Sequence, residues 1–164
     1  MVLIPLLLLV SLVGCNRGPI QYVNKEFGYI ISYPRDWIFI ELNENVIVIK
    51  PEPKTKNQIQ VGAFPNQNGV MSVPEAQTAD MLEQLLKETF DTLGHNILEI
   101  TGNEPASNKW DWKVTFEVYL NGLVLEGVYY IKESPSLVYT LFLLTEDNWP
   151  EAPSVLESFY FIET

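Results

Sequence analysis

The sequence predicts an α+β fold, an α/β/α sandwich in which helices lie on a central, mostly antiparallel sheet. Residues 109–132 alternate between apolar and polar side chains around Asn121-Gly122, the strongest short hairpin signal. Residues 72–93 repeat apolar side chains every three or four positions, as an amphipathic helix does. Residues 137–144 are apolar on both faces, which favours an interior strand covered on both sides.

The remaining elements follow from turn signals and alternation. The strands predicted before the helix are 27–33, which Pro34 ends, 37–42 and 46–50, joined around Asn43-Glu44-Asn45, and 58–64. Ser72 and Glu75 have capping-box spacing, and Gly94 suits the position just past the helix end. A short strand over 96–101 follows, and a short helix runs from about Asn148 to Ser158 before an apolar tail.

A two-residue turn at Asn121-Gly122 fixes which residues face each other in the hairpin. On one face the predicted register pairs Trp112 with Ile131, Val114 with Tyr129, Phe116 with Gly127, Val118 with Leu125 and Leu120 with Leu123. Only Gly127 is not bulky and apolar, and a slip by one residue would destroy this match. The same register sets Glu117 directly opposite Glu126 on the other face.

Composition predicts one globular domain and excludes nucleic acid as a partner. The chain has 164 residues, of which 47% are hydrophobic and 12% aromatic, enough to build a sizeable core. Its formal net charge is −11, whereas nucleic-acid binding depends on Lys and Arg side chains that neutralise phosphates. Solubility explains such a surface, and attraction of cations or basic partners is the alternative.

The N-terminal segment predicts a lipoprotein signal peptide. Residues 2–13 form an apolar run too short to span a bilayer, and Leu12-Val13-Gly14-Cys15 resembles the bacterial lipobox. Residues 1–14 are then removed, 15–20 form a lipidated tether and 21–164 form a single domain on the extracytoplasmic face of the cell membrane. Residues 1–14 lack the usual Lys or Arg, so either a longer, basic N-terminus exists or the terminal amine suffices. The alternative is a buried segment with a free core cysteine.

A family resemblance supports the same fold. Residues 27–37, Phe-Gly-Tyr-Ile-Ile-Ser-Tyr-Pro-Arg-Asp-Trp, resemble the opening strand of PsbP-like domains, and residues 155–159 are similar to their closing helix. The resemblance covers about residues 21–162 and implies the PsbP/Mog1-like sandwich with a non-enzymatic role. Many bacterial relatives are lipoproteins. The best-known members are extrinsic subunits of photosystem II associated with calcium and chloride retention, a role expected here only in a photosynthetic host.

Two groups of residues are candidate binding sites. Because like charges directly opposed are unfavourable, Glu117 and Glu126 predict a weak Ca²⁺ site or a carboxylic acid pair. The alternative is two splayed carboxylates on a solvated face or beside a lysine. Trp37, Trp110 and Trp112 are candidates to line a ligand cleft between sheet and helix, with an aromatic core as the alternative.

The predicted function is therefore a membrane-anchored binding or assembly module that contacts an unidentified envelope or membrane protein. His95 is the only histidine, and together with one cysteine it cannot complete the usual zinc or Ser-His-Asp sets, so no enzyme activity is predicted. No resident cofactor is expected apart from the calcium considered above. The alternative function is a Ca²⁺-binding or small-ligand-binding lipoprotein.

Replacing the lipobox cysteine tests the anchor. Cys15→Ala should abolish incorporation of labelled palmitate and release the protein from the membrane fraction, since the thiol that carries the lipid is gone. Lipid labelling and fractionation measure both effects. A variant that stays in the membrane fraction would show that something other than Cys15 holds the protein there.

Overall fold

The computed structural model describes residues 18–66, 75–92, 96–106, 109–146 and 149–162. The lipobox, Cys15, Ser72, Gly94 and His95 lie outside the described residues. The helices are α1 (Glu75–Thr92) and α2 (Ala152–Glu157). The strands are β1 (Ile20–Asn24), β2 (Tyr29–Tyr33), β3 (Ile38–Asn43), β4 (Val46–Lys50), β5 (Gln58–Pro65), β6 (Asn96–Pro105), β7 (Trp112–Leu120), β8 (Leu123–Glu133), β9 (Leu137–Thr145) and β10 (Tyr160–Phe161).

The strands form two antiparallel sheets. The large sheet has the order β3-β4-β5-β9-β8-β7-β6, and the small sheet has the order β1-β2-β10. Strand β9 lies between β5 and β8, so the prediction of an interior strand is confirmed. Its odd-numbered and even-numbered apolar side chains belong to different core clusters, as expected for a strand covered on both faces.

The two faces of the large sheet carry different layers. Helix α1 packs its Leu82, Leu86 and Phe90 against even-numbered residues of β7, including Phe116. On the opposite face, the small sheet and α2 pack against β4, β5 and β9, with Phe159 fully buried among them. The predicted α+β sandwich is therefore confirmed, with a small sheet and a short helix together forming the second outer layer.

The small sheet contains two strands that sequence patterns did not predict. Strand β1 pairs with one edge of β2, and the two-residue strand β10 pairs with the other. The Ser32 N–H donates to Ser158 Oγ at 2.9 Å and so reinforces a contact across 126 positions of sequence. Strand β10 leaves no local turn signal because its partner is so distant, and its two residues are too few to show alternation. Strand β1 pairs with β2 locally, across the turn at residues 25–28.

The β7–β8 register is the predicted one, residue for residue, from Trp112 opposite Ile131 to Leu120 opposite Leu123. Gly127 faces Phe116, whose ring occupies the space above the glycine: an added Cβ would lie 2.2 Å from Phe116 Cζ. Strand β7 begins at Trp112, three residues later than the predicted start at Lys109. The glycine is thus part of the core, because it makes room for the aromatic ring opposite.

Gly127→Ala should lower the free energy of unfolding by about 1–3 kcal/mol, because the fully buried Phe116 ring must leave its position. Urea titration followed by circular dichroism measures the loss. Phe116→Leu combined with Gly127→Ala should recover part of it, since the smaller side chain frees the space. Equal stability of Gly127→Ala and the unchanged protein would contradict this packing.

Candidate functional site

The β7–β8 hairpin ends in a tight turn with a fixed geometry. Asn121 has φ 52° and Gly122 has φ 91°, so both central residues adopt the positive φ of a type I′ turn. The pairing of β8 with β9 ends at Glu126 and Thr145, so the end of the hairpin extends beyond β9. The two strands and their turn therefore project beyond the end of β9.

Three large apolar side chains are exposed at this projection. Tyr119 is 48% exposed, Leu123 45% and Val124 52%, and Tyr119 lies directly opposite Val124. We call these three residues the hairpin tip. Single exposed apolar residues are ordinary, but three of them at one turn form a candidate interaction surface.

A row of glutamates crosses the sheet beside the hairpin tip. Glu117 lies opposite Glu126 as predicted, and Glu99 on β6 lies opposite Glu117 on the other side. Glu99 was not predicted, because β6 carries two register irregularities that its sequence does not reveal. We call Glu99, Glu117 and Glu126 the acidic row.

Within the described residues no group of three or more His, Cys, Asp or Glu side chains is placed to hold a metal ion. The calcium site therefore stays a prediction.

The other end of the hairpin is held by ionic and backbone contacts. Lys132 Nζ lies 2.6 Å from Asp111 Oδ1, and the Glu133 N–H donates to Asp111 Oδ2 at 2.8 Å. Lys113 lies on the same face as the acidic row, opposite Glu104 on β6 and four residues from Glu117 along β7. These contacts fix the base of the hairpin and leave its tip as the end that projects.

The structure does not bring the three candidate tryptophans into one cleft. Trp37 stacks on Trp149 with ring centroids 4.9 Å apart, and Trp110 packs 5.1 Å from Phe159, both on the side of the small sheet. Trp112 belongs to the cluster under α1. Alternation placed Trp110 and Trp112 on one face, but β7 begins only at Trp112, so alternation does not extend to Trp110.

A cleft does lie between sheet and helix, lined by other residues. Its volume is about 360 Å³, and its walls come from α1 and from strands β5, β7, β8 and β9. Six of its lining residues are Gln58, Gln60, Leu85, Phe90, Phe142 and Leu144. We call it the helix–sheet cleft. Sequence patterns missed these residues, because half-buried glutamines on an alternating strand resemble ordinary surface positions.

In the part of the chain that the structure describes, no helix is long and apolar enough to cross a membrane. The lipobox residues Leu12, Val13 and Gly14, and the acceptor Cys15, fall outside that part. The lipid anchor therefore stays a prediction from sequence.

The layer order and sheet topology define a protein of the PsbP/Mog1-like fold class. Comparison with solved structures supports this class: cyanobacterial PsbP (CyanoP) from Synechocystis sp. PCC 6803 superposes with a TM-score of 0.68 at 18% identity, covering 88% of this chain and 92% of its own. The Ran-binding protein Mog1p of Saccharomyces cerevisiae has a TM-score of 0.50 at 9% identity, covering 89% of this chain and 96% of its own. The fold suggested by residues 27–37 is thus confirmed.

No protein-family model matches the chain, and no curated protein matches it either. Likeness at such low identity concerns the fold alone.

Replacing Glu117 and Glu126 by glutamine should distinguish charge repulsion between them from calcium binding. Without calcium, Glu117→Gln with Glu126→Gln should raise the free energy of unfolding by about 0.5 kcal/mol, since like charges directly opposed are unfavourable. If the pair holds Ca²⁺, millimolar calcium should raise the Tm of the unchanged protein and leave that of the double variant in place. An equal calcium response of the two proteins would remove the proposed site.

Proposed function

We propose that this protein is a lipid-anchored, non-catalytic binding module that contacts an envelope or membrane protein through its hairpin tip. The observation that carries the proposal is the exposure of Tyr119, Leu123 and Val124 together on one type I′ hairpin. Exposing three large apolar side chains at one place is unfavourable in water, and a partner that covers them would relieve this cost.

The surroundings of the tip indicate the chemistry of the partner. The acidic row lies beside Tyr119, and the whole chain carries a net charge of −11. Protein interfaces commonly combine an apolar centre with a polar rim, and charges across them are complementary. The expected partner surface is an apolar pocket bordered by Lys or Arg side chains.

The predicted anchor would restrict where this partner is found. Cys15 precedes Ile20, the first residue of β1, by five positions. At about 3.5 Å per extended residue, that tether spans at most about 18 Å. A domain held so closely would meet partners at or in the membrane surface, on its extracytoplasmic face.

Protein binding is also known on this fold, since Mog1p is a Ran-binding protein. That likeness is one of fold, and the surface proposed here comes from this chain alone. Burial of an apolar tip by a partner requires no acid, base or nucleophile, which agrees with a non-catalytic role.

Site-specific crosslinking tests the tip directly. A photo-crosslinking side chain placed at Leu123 of the tagged full chain, in its native cells, should capture one stoichiometric membrane or envelope protein. The matched control carries the same group at Leu42, which is 57% exposed at the end of β3. Leu42 is more exposed than Leu123, so accessibility alone favours the control.

Capture from position 123 should also fall at least about tenfold when Tyr119→Ser and Val124→Ser are added, since neighbouring apolar contacts are lost. Leu42→Ser added in the same way should leave capture unchanged. The same proteins captured from both positions, or none from position 123, would overturn the proposal.

A further inference from the structure

The helix–sheet cleft exists because α1 covers only part of one sheet face. Phe90 of α1 packs 5.5 Å from Phe116 on β7 and 5.8 Å from Phe142 on β9, measured between ring centroids. On the same face, β5 presents Gln58, Gln60 and Phe64 to the open side of the helix. The cleft thus has a floor of strands and a single helical wall.

The lining of the cleft is uncharged in a strongly acidic protein. Among the described residues that line it, seven are apolar and five are neutral polar, and none is charged. The acidic side chains of α1, including Asp80, Glu83 and Asp91, line a different part of its surface. A charged ligand would lose its hydration without gaining a counter-charge in the cleft, whereas an uncharged ligand would avoid that larger penalty.

Two glutamine amides on the cleft floor have hydrogen-bonding capacity to spare. Gln58 and Gln60 are two positions apart on β5, so their side chains point to the same face, about 7 Å apart. Both are half-buried, and neither side-chain amide makes a hydrogen bond with another described residue. Each amide offers two donors and an acceptor oxygen, so a ligand with a neutral polar group would find partners at two spaced points.

The inner end of the cleft reaches the core beneath α1. Leu86, Phe90 and Leu144 line it and are only 4%, 6% and 3% exposed. Tyr129 adds a phenol there, whose pKa burial raises to about 12, so that it remains an uncharged donor at neutral pH. Thr140, 9% exposed, hydrogen-bonds this phenol and partly offsets that rise.

We propose that the helix–sheet cleft binds an uncharged, mainly apolar small molecule that carries a neutral hydrogen-bonding group such as a carbonyl, hydroxyl or amide. Its apolar part would lie against Leu86, Phe90 and Leu144, and its polar group would meet the amides of Gln58 and Gln60. The volume of about 360 Å³ falls within the range of small-molecule pockets.

A small molecule fits the cleft better than a segment of a folded partner does. Its most buried lining residues lie under the helix, where a partner could reach only the rim formed by Leu85 and Phe64, 46% and 38% exposed. The cleft is a separate surface from most of the hairpin tip, because Tyr119 and Val124 lie on the opposite face of the sheet. Leu123 is the tip residue on the face of the cleft, opposite the cleft-lining Leu120.

Binding of a fluorescent probe tests the cleft. Nile red is uncharged, mainly apolar and carries a carbonyl group, so it has the proposed chemistry. It would be titrated onto the full chain in phosphatidylcholine nanodiscs, with the signal of empty nanodiscs subtracted. Thr89→Trp places a bulky side chain at the exposed, cleft-lining position of α1. The matched control is Gln84→Trp, which makes the same change at an exposed position on the acidic side of α1.

The unchanged protein and Gln84→Trp should bind Nile red with the same Kd, and Thr89→Trp should weaken binding at least about tenfold. Gln58→Leu with Gln60→Leu should weaken Nile red several-fold but spare diphenylhexatriene, a hydrocarbon probe without polar atoms. Equal Kd values for Thr89→Trp and Gln84→Trp would overturn the proposal. The proposal would also be overturned if neither probe bound the unchanged protein and Thr89→Trp abolished crosslinking to a protein partner. The cleft would then be a protein-docking groove.

Discussion

The positive φ angles at Asn121 and Gly122 are the constraint on which the rest of the arrangement depends. They impose a two-residue turn, and that turn fixes every pair between β7 and β8. One face of the pair then carries Phe116 over Gly127 and receives α1, while the other presents Tyr119 and the acidic row. A register shifted by one residue would exchange these faces, burying glutamates and exposing the core.

Features set by short-range rules could be predicted from the sequence. The Asn121-Gly122 turn and the alternation beside it were enough for the whole β7–β8 register, because side-chain direction has a period of two. The interior position of β9 in the sheet could also be predicted, because its side chains are apolar on both faces. Features set by distant partners could not be predicted. Nothing near Tyr160 indicates that β10 pairs with β2, which lies 130 residues earlier in the chain.

In the candidate surfaces too, short-range features could be predicted and features that depend on distant contacts could not. Glu117 opposite Glu126 followed from the turn, but Glu99 joined them only through the irregular register of β6. Trp110 lies on the other side of the sheet from Trp112, because the alternation of β7 does not extend before Trp112. The cleft depends on where α1 lies across the sheet, and an amphipathic pattern gives the apolar face of a helix but not its position.

The topology of the small sheet determines when it can form during synthesis of the chain. Strand β2 gains its second neighbour, and its contact with Ser158, from residues that follow it by 126 positions or more. A chain emerging from the ribosome therefore holds β2 with one edge open until almost all of it has been made. Late completion of the small sheet would suit the export that the N-terminal segment predicts, because an exported chain crosses its translocation channel before it folds.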